Sequence, residues 1–234
     1  MAVIHSETIT TPVNGEQGIY HLVRPDDEGQ HPGVVLIQEV WGIEPHVRQV
    51  AQDLAVEGFV VLIPDLFHGK IATEFEDARK IAMGLFGNME RGLQETQGAI
   101  DYLKGLPYVA PKKVGIMGFC MGGRVSYLMA SRSADLGAVV PWYGGRYEPS
   151  EEDIAAIQAP ILAFYGGRDQ GIPLEQVRMI EGMLHAAGKD ATIVVYPEAG
   201  HAFLNPSHGG MSYHEASAQD AWPKAVAFLK ERLR

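Results

Sequence analysis

The stretch "KVGIMGFCMGGRVSYLMA", residues 113–130, holds the only cysteine of the 234-residue chain, Cys120, set among glycines. Its first seven residues form a short apolar run of the kind a strand covered on both faces requires. Residues 121–132 then carry apolar side chains at helical spacing. A strand that runs into a helix through so tight a turn needs small residues two before and two after the turn residue, and Gly118 and Gly122 occupy those places. Gly123 then lets the helix approach the sheet closely. This is the setting of a nucleophile elbow, with cysteine where serine commonly stands. The helix N-terminus turns its partial positive charge toward the sulfur, and the Met121 backbone N–H is the natural first donor to an oxyanion. Lone cysteines are more often inert buried fillers, so this reading rests on the glycines and on the place between strand and helix.

The same alternation continues on either side. Further apolar runs bounded by glycine and proline lie at 33–38, 59–67, 137–143, 160–167 and 191–197. Helical spacing marks 45–57, 74–105 with a break near Gly87 and Asn88, 173–187, and 213–233. Pro223 is expected to end or kink that last helix, or to sit in the first turn of a second one. Residues 2–12 and 17–24 alternate loosely about "VNGE", whose Asn-Gly pair favours a tight turn and so an opening β-hairpin. Strands alternating with helices imply right-handed crossovers and a mainly parallel sheet with helices on both faces. Without repeats or long linkers, residues 1–234 read as one α/β domain.

Composition narrows the partners. With 46% hydrophobic and 21% charged residues the chain resembles an ordinary globular protein. Its formal charge of −10 and the absence of basic runs argue against nucleic acid or an anionic membrane. A small anionic substrate stays compatible where a local arginine overrides that field. One cysteine makes no intramolecular disulfide, and the first residues show no basic-then-apolar leader, so a cytoplasmic location is expected. No paired-cysteine or HExxH spacing suggests a metal, and "GFCMGG" fits no phosphate-binding loop, so no cofactor is expected.

Ligands of such sheets bind at the carboxyl ends of the strands. Glu39, Cys120, Asp169 and His201 each follow a predicted strand, which brings four chemically capable groups to one edge. A nucleophile needs a base, and the base an orienter. Asp169 in "GGRDQGIP" and His201 in "AGHAF" follow Cys120 in the order nucleophile, acid, histidine expected of an α/β-hydrolase fold. Alone, Asp169 could equally be a turn residue and His201 one histidine among nine.

"QEVWG", "GFCMGG", "GGRDQGIP" and "AGHAF", in this order and at this spacing, resemble the motifs of the dienelactone hydrolase family over nearly the whole chain. The resemblance implies a cysteine-dependent hydrolase of small carboxylic esters or lactones. It implies Cys120, His201 and Asp169 as the triad, with Met121 and Val40 as backbone oxyanion donors. It also implies Glu39 as a carboxylate beside the thiol; on spacing alone, Glu39 is equally a strand-end residue facing solvent.

At the substrate side the chain departs from the family pattern. Arg79 stands where the family has the first of two carboxylate-binding arginines, but the second position is Asn205. A neutral amide cannot replace a guanidinium fork. Arg79 has a second reading as a solvated helix residue. Trp41, Phe86, Trp142, Tyr143 and Phe203 are candidate apolar walls, though aromatics at such positions are commonly core. Two rivals stay open: a redox-sensing or binding protein on the same fold, and an acyltransferase.

Overall fold

A computed structural model describes residues 3–13, 16–207 and 213–234. Eight strands form one sheet in the order β1-β2-β4-β3-β5-β6-β7-β8. The strands are β1 (Ile4–Val13), β2 (Glu16–Pro25), β3 (Gly33–Ile37), β4 (Val60–Pro64), β5 (Val114–Phe119), β6 (Leu136–Trp142), β7 (Ile161–Gly166) and β8 (Ala191–Tyr196). β1 pairs antiparallel with β2, and β2 antiparallel with β4; every pairing from β4 to β8 is parallel. The expected opening hairpin pair is therefore present, while its Asn14-Gly15 turn lies outside the described residues.

The helices are α1 (Pro45–Val56), α2 (Phe75–Phe86), α3 (Met89–Gly105), α4 (Met121–Arg132), α5 (Glu151–Ala156), α6 (Leu174–Ala186) and α7 (Glu215–Arg232). Every residue of β3, β4, β5 and β7 is buried, as apolar runs without alternation imply for strands covered on both faces. Parity along β5 assigns two of the covers. A Cβ on Gly115 would meet Leu229 and Leu233 at the end of α7, whereas one on Gly118 would meet Gly122 and Ser126 of α4. Residues three apart point to opposite sides of a strand, so α4 and α7 flank opposite faces.

The predicted break between α2 and α3 falls where glycine and asparagine placed it. Gly87 closes α2, and the Asn88 side chain caps α3 by accepting the Arg91 N–H at 3.4 Å. One element was not expected, and one of the outcomes open at Pro223, an end to the helix, is excluded. α5 is a six-residue helix that no periodicity could reveal, and its signal is chemical: Ser150 and Asp153 form a reciprocal capping box. α7 runs as one helix through Pro223. Its buried face of Ala218, Ala221, Ala225 and Leu229 holds it to the core on both sides of the proline, which outweighs the one lost backbone bond. Among the described residues no helix is long and apolar enough to cross a membrane.

The β5–α4 turn leaves no room for a side chain at either of its glycines. A Cβ on Gly118 would fall inside contact distance of the Gly122 carbonyl, and one on Gly122 would lie 2.5 Å from the Ile37 carbonyl. Gly118→Ala is therefore expected to destabilise the fold by on the order of 1–3 kcal/mol, measured by urea denaturation, because the obstacle is backbone that cannot step aside. Gly84→Ala, with open space around its Cβ, is the matched control.

Candidate active site

The carboxyl ends of adjacent strands line up Glu39 after β3, Cys120 after β5, Tyr143 after β6, Asp169 after β7 and His201 after β8. Cys120 has φ 52° and ψ −109°, a conformation that an L-residue holds only when its surroundings enforce it. Its N–H donates to the Trp142 carbonyl at 3.0 Å, and its carbonyl accepts the Arg124 N–H at 3.1 Å. Both bonds tie the turn to the next strand and to the helix. Among the described residues the backbone N–H groups of Met121 and Val40 have no hydrogen-bond partner, which leaves them available to an oxyanion.

Asp169 and His201 are joined. Asp169 Oδ2 lies 2.6 Å from His201 Nδ1, while Asp169 Oδ1 accepts the N–H groups of Gly171 at 2.8 Å and Ile172 at 3.1 Å. The carboxylate side chain is wholly buried and the imidazole about a third exposed, at 36%. With Nδ1 on the acid, Nε2 is the nitrogen left for the thiol. Burial by itself would pull the ring's pKa down; the Asp169 hydrogen bond, and after it the neighbouring Cys120, outweigh that and push it up to about 10. Tyr143 meets the ring edge-on at 5.2 Å and fixes its other side.

Glu39 faces inward, not toward solvent. It is 1% exposed, and Oε2 accepts the Asn205 side-chain amide at 2.5 Å. The same amide nitrogen donates to Glu44 Oε1 at 3.2 Å, and Asn205 Oδ1 accepts the Ser207 N–H at 2.8 Å. Asn205 thus bridges two buried carboxylates with a neutral group. Burial drives the Glu39 carboxyl up to about 7 against the pull of the Asn205 hydrogen bond, and the Glu44 charge adds to the rise. The Tyr143 hydroxyl, fully buried, is pushed well above its ordinary value by burial and then by the charge of Glu39.

The remaining predicted residues divide. Trp142 and Phe203 are wholly buried; Trp142 stacks on Phe164 at 4.3 Å, and both rings belong to the core under the site, offering no surface to a ligand. Trp41 is partly exposed and packs against Phe75 at 6.3 Å. Phe86 is partly exposed beneath the Arg124 guanidinium, 5.4 Å from its ring centre. Arg79 is exposed and bonds Glu76 one turn away at 3.2 Å. Asn205, read as a substrate contact, is 3% exposed and spends its amide on Glu39 and Glu44. Glu44 itself escaped the sequence reading, because a glutamate before Pro45 looks like a solvated helix start and only the tertiary fold shows it 5% exposed. Among the described residues no group of three or more His, Cys, Asp or Glu side chains could hold a metal ion.

A thiol on a strained strand-to-helix turn, an acid and a histidine in that chain order, and a mostly parallel eight-stranded sheet define an α/β-hydrolase. The sequence profile of the dienelactone hydrolase family matches residues 20–233. A Yersinia pestis protein named as a candidate carboxymethylenebutenolidase is 34% identical, the match covering 97% of this chain and 89% of the relative. The crystal structure of a candidate dienelactone hydrolase from Klebsiella pneumoniae is 28% identical, with a TM-score of 0.79 over 98% of this chain and 99% of the other. A dienelactone hydrolase-like promiscuous phosphotriesterase from metagenomic libraries shares the fold with a TM-score of 0.91 over both full chains at 23% identity. The chain belongs to the dienelactone hydrolase family and is a hydrolase of that family's carboxymethylenebutenolidase-like kind.

The Glu39 pKa has a consequence for stability. Its carboxyl releases the proton near 4.5 when unfolded but near 7 in the fold, so between those values the folded state binds more protons. Its contribution therefore falls as pH rises from about 4.5 to 7 and is constant above. Glu39→Gln carries no such proton. The stability of the variant relative to the parent should climb across that window, by about 3 kcal/mol, and level off beyond it. Urea denaturation at a series of pH values checks this; a difference independent of pH would refute it.

Proposed function

We propose that the protein hydrolyses carboxylic esters or lactones through a thioester on Cys120, within a single domain. The observation that carries this reading is the 2.6 Å Asp169–His201 hydrogen bond, with Cys120 beside the ring and on the turn that exposes a nucleophile.

In the first half-reaction the Cys120 proton passes to His201 Nε2, and the thiolate sulfur adds to the substrate carbonyl carbon. The carbonyl oxygen becomes an alkoxide, which the N–H groups of Met121 and Val40 receive. Collapse of this intermediate breaks the carbon–oxygen ester bond, and His201 returns the proton to the leaving alkoxide. Water then takes the place of the alcohol. His201 removes one of its protons, hydroxide oxygen adds to the thioester carbon, and the carbon–sulfur bond breaks to give the acid and the free thiol. Asp169 serves throughout by holding Nδ1–H, so that Nε2 is always the working nitrogen. Glu39 stands as a buried second acid near enough for the charge of His201 to reach it, and the raised histidine keeps the proton needed by the leaving group.

The first test is covalent. Incubation with a p-nitrophenyl ester should produce a burst of p-nitrophenol and an acyl mass increment on the peptide holding Cys120. Cys120→Ala should show neither, while keeping its circular dichroism spectrum; parent-like turnover in that variant removes the proposal.

The second test is the orienter. Asp169→Asn should lower kcat by on the order of 10³-fold to 10⁴-fold, because an amide favours the wrong imidazole tautomer. A change of only a few-fold would leave the Asp169–His201 bond without a catalytic role.

A further inference from the structure

Arg124 lies one turn of α4 beyond Cys120, roughly 6 Å along the helix. Its guanidinium covers the face of Phe86 at 5.4 Å, and its Nε is sealed from solvent with no hydrogen-bond partner. The loop after β6 closes against the backbone at the start of α4, since a Cβ on Gly144 would stand 2.9 Å from the Arg124 backbone nitrogen. Two residues on, Arg146 is exposed on a left-handed backbone, φ 55°, close enough for its charge to act on Arg124. Gly145 fixes the same loop to the acid's loop: a Cβ there would be 2.9 Å from Ile172 Cγ1, and Ile172 N–H bonds Asp169. Both arginines therefore sit on the sheet edge that carries Cys120 and Asp169.

Neither guanidinium has a carboxylate bonded to it among the described residues. Burial, and after it the charge of Arg146, hold the Arg124 pKa below its ordinary value; Glu148 works the other way. Among the described residues neither arginine makes an ion pair or a side-chain hydrogen bond. Arg79, Arg91, Arg132, Arg168 and Arg232 do, whereas Arg48 and Arg178, on other elements, also make none among the described residues. Arg124 and Arg146 thus stand as neighbouring cations without a paired carboxylate, Glu148 reaching Arg124 only through its charge, and the sealed Nε of Arg124 has no acceptor within the protein.

We propose that Arg124 and Arg146 form an anion subsite that holds a carboxylate or phosphate group of the substrate about one helical turn from the carbonyl attacked by Cys120. The Phe86 ring supports the planar fork of Arg124, and exposed Arg146 adds a second positive charge from the loop after β6. The subsite is distinct from Arg79 and position 205, and it deepens the Cys120 hydrolase reading, on which it rests.

The experiment compares kcat/KM for p-nitrophenyl hexanoate and mono-p-nitrophenyl adipate, which differ by a terminal carboxylate, in the parent, Arg124→Gln and Arg146→Gln. The adipate-to-hexanoate ratio should fall about tenfold to a hundredfold in each variant. Because the ratio is internal to each protein, loss of folded enzyme does not move it, and exposed Arg146 provides a variant with little packing at stake. An unchanged ratio in both overturns the subsite. Binding is measured separately by calorimetry of adipate and of inorganic phosphate with Cys120→Ala. Binding that disappears on adding Arg124→Gln supports the subsite, and preference for one ligand assigns the anion as carboxylate or phosphate. No binding of either overturns it. A parent that hydrolyses neither ester, yet binds an anion through these arginines, would refute the thioester reaction and leave the subsite standing.

Discussion

Cys120 keeps its left-handed backbone because three glycines let α4 lie against the sheet with no side chain in between. Gly118 faces Gly122 across the turn, Gly122 faces the carbonyls at the end of β3, and Gly123 faces the carbonyl of Trp142. Every other part of the site takes its position from that approach. It sets the thiol at the start of a helix, leaves the neighbouring Met121 N–H without a backbone acceptor, and places Arg124 one turn further along. The Cys120 N–H bond to Trp142 couples the turn to β6, so Tyr143 arrives beside the histidine.

Around the thiol the protein separates its titrating groups by environment. His201 is raised because a buried carboxylate, itself held by two backbone N–H groups, accepts from its ring. Glu39 is raised for the opposite reason, since burial disfavours its charged form and the neutral Asn205 amide that bonds it lowers it too little to offset that. Asn205 makes that possible: one amide nitrogen serves two carboxylates without adding charge. An arginine there would instead stabilise the ionised acid. The neutral side chain at position 205 is thus felt first by Glu39, inside the protein.

Much of this was legible in the chain itself. Short apolar runs at fixed alternation with helical segments gave the parallel sheet, because strands covered on both faces cannot carry polar residues. The glycines around Cys120 gave the elbow, since no larger residue satisfies the backbone contacts there. Asp169 and His201 were legible by their order and by their places after strands. α5 was not, because six residues are too few for a period, and the continuity of α7 through Pro223 depends on packing along its length.

What the sequence by itself determined is the fold, the elbow and the three chemical groups at one edge of the sheet, because each is encoded in local spacing and in residues with little conformational choice. Tertiary structure alone decided where long side chains end. Arg79 turns to Glu76, Asn205 turns inward to Glu39 and Glu44, Trp142 and Phe203 sink into the core, and Arg124 lies unpaired over Phe86 near Arg146. The reason is physical: charge, burial and hydrogen-bond partners for such groups come from residues distant in the chain, such as the 166 positions that separate Glu39 from Asn205.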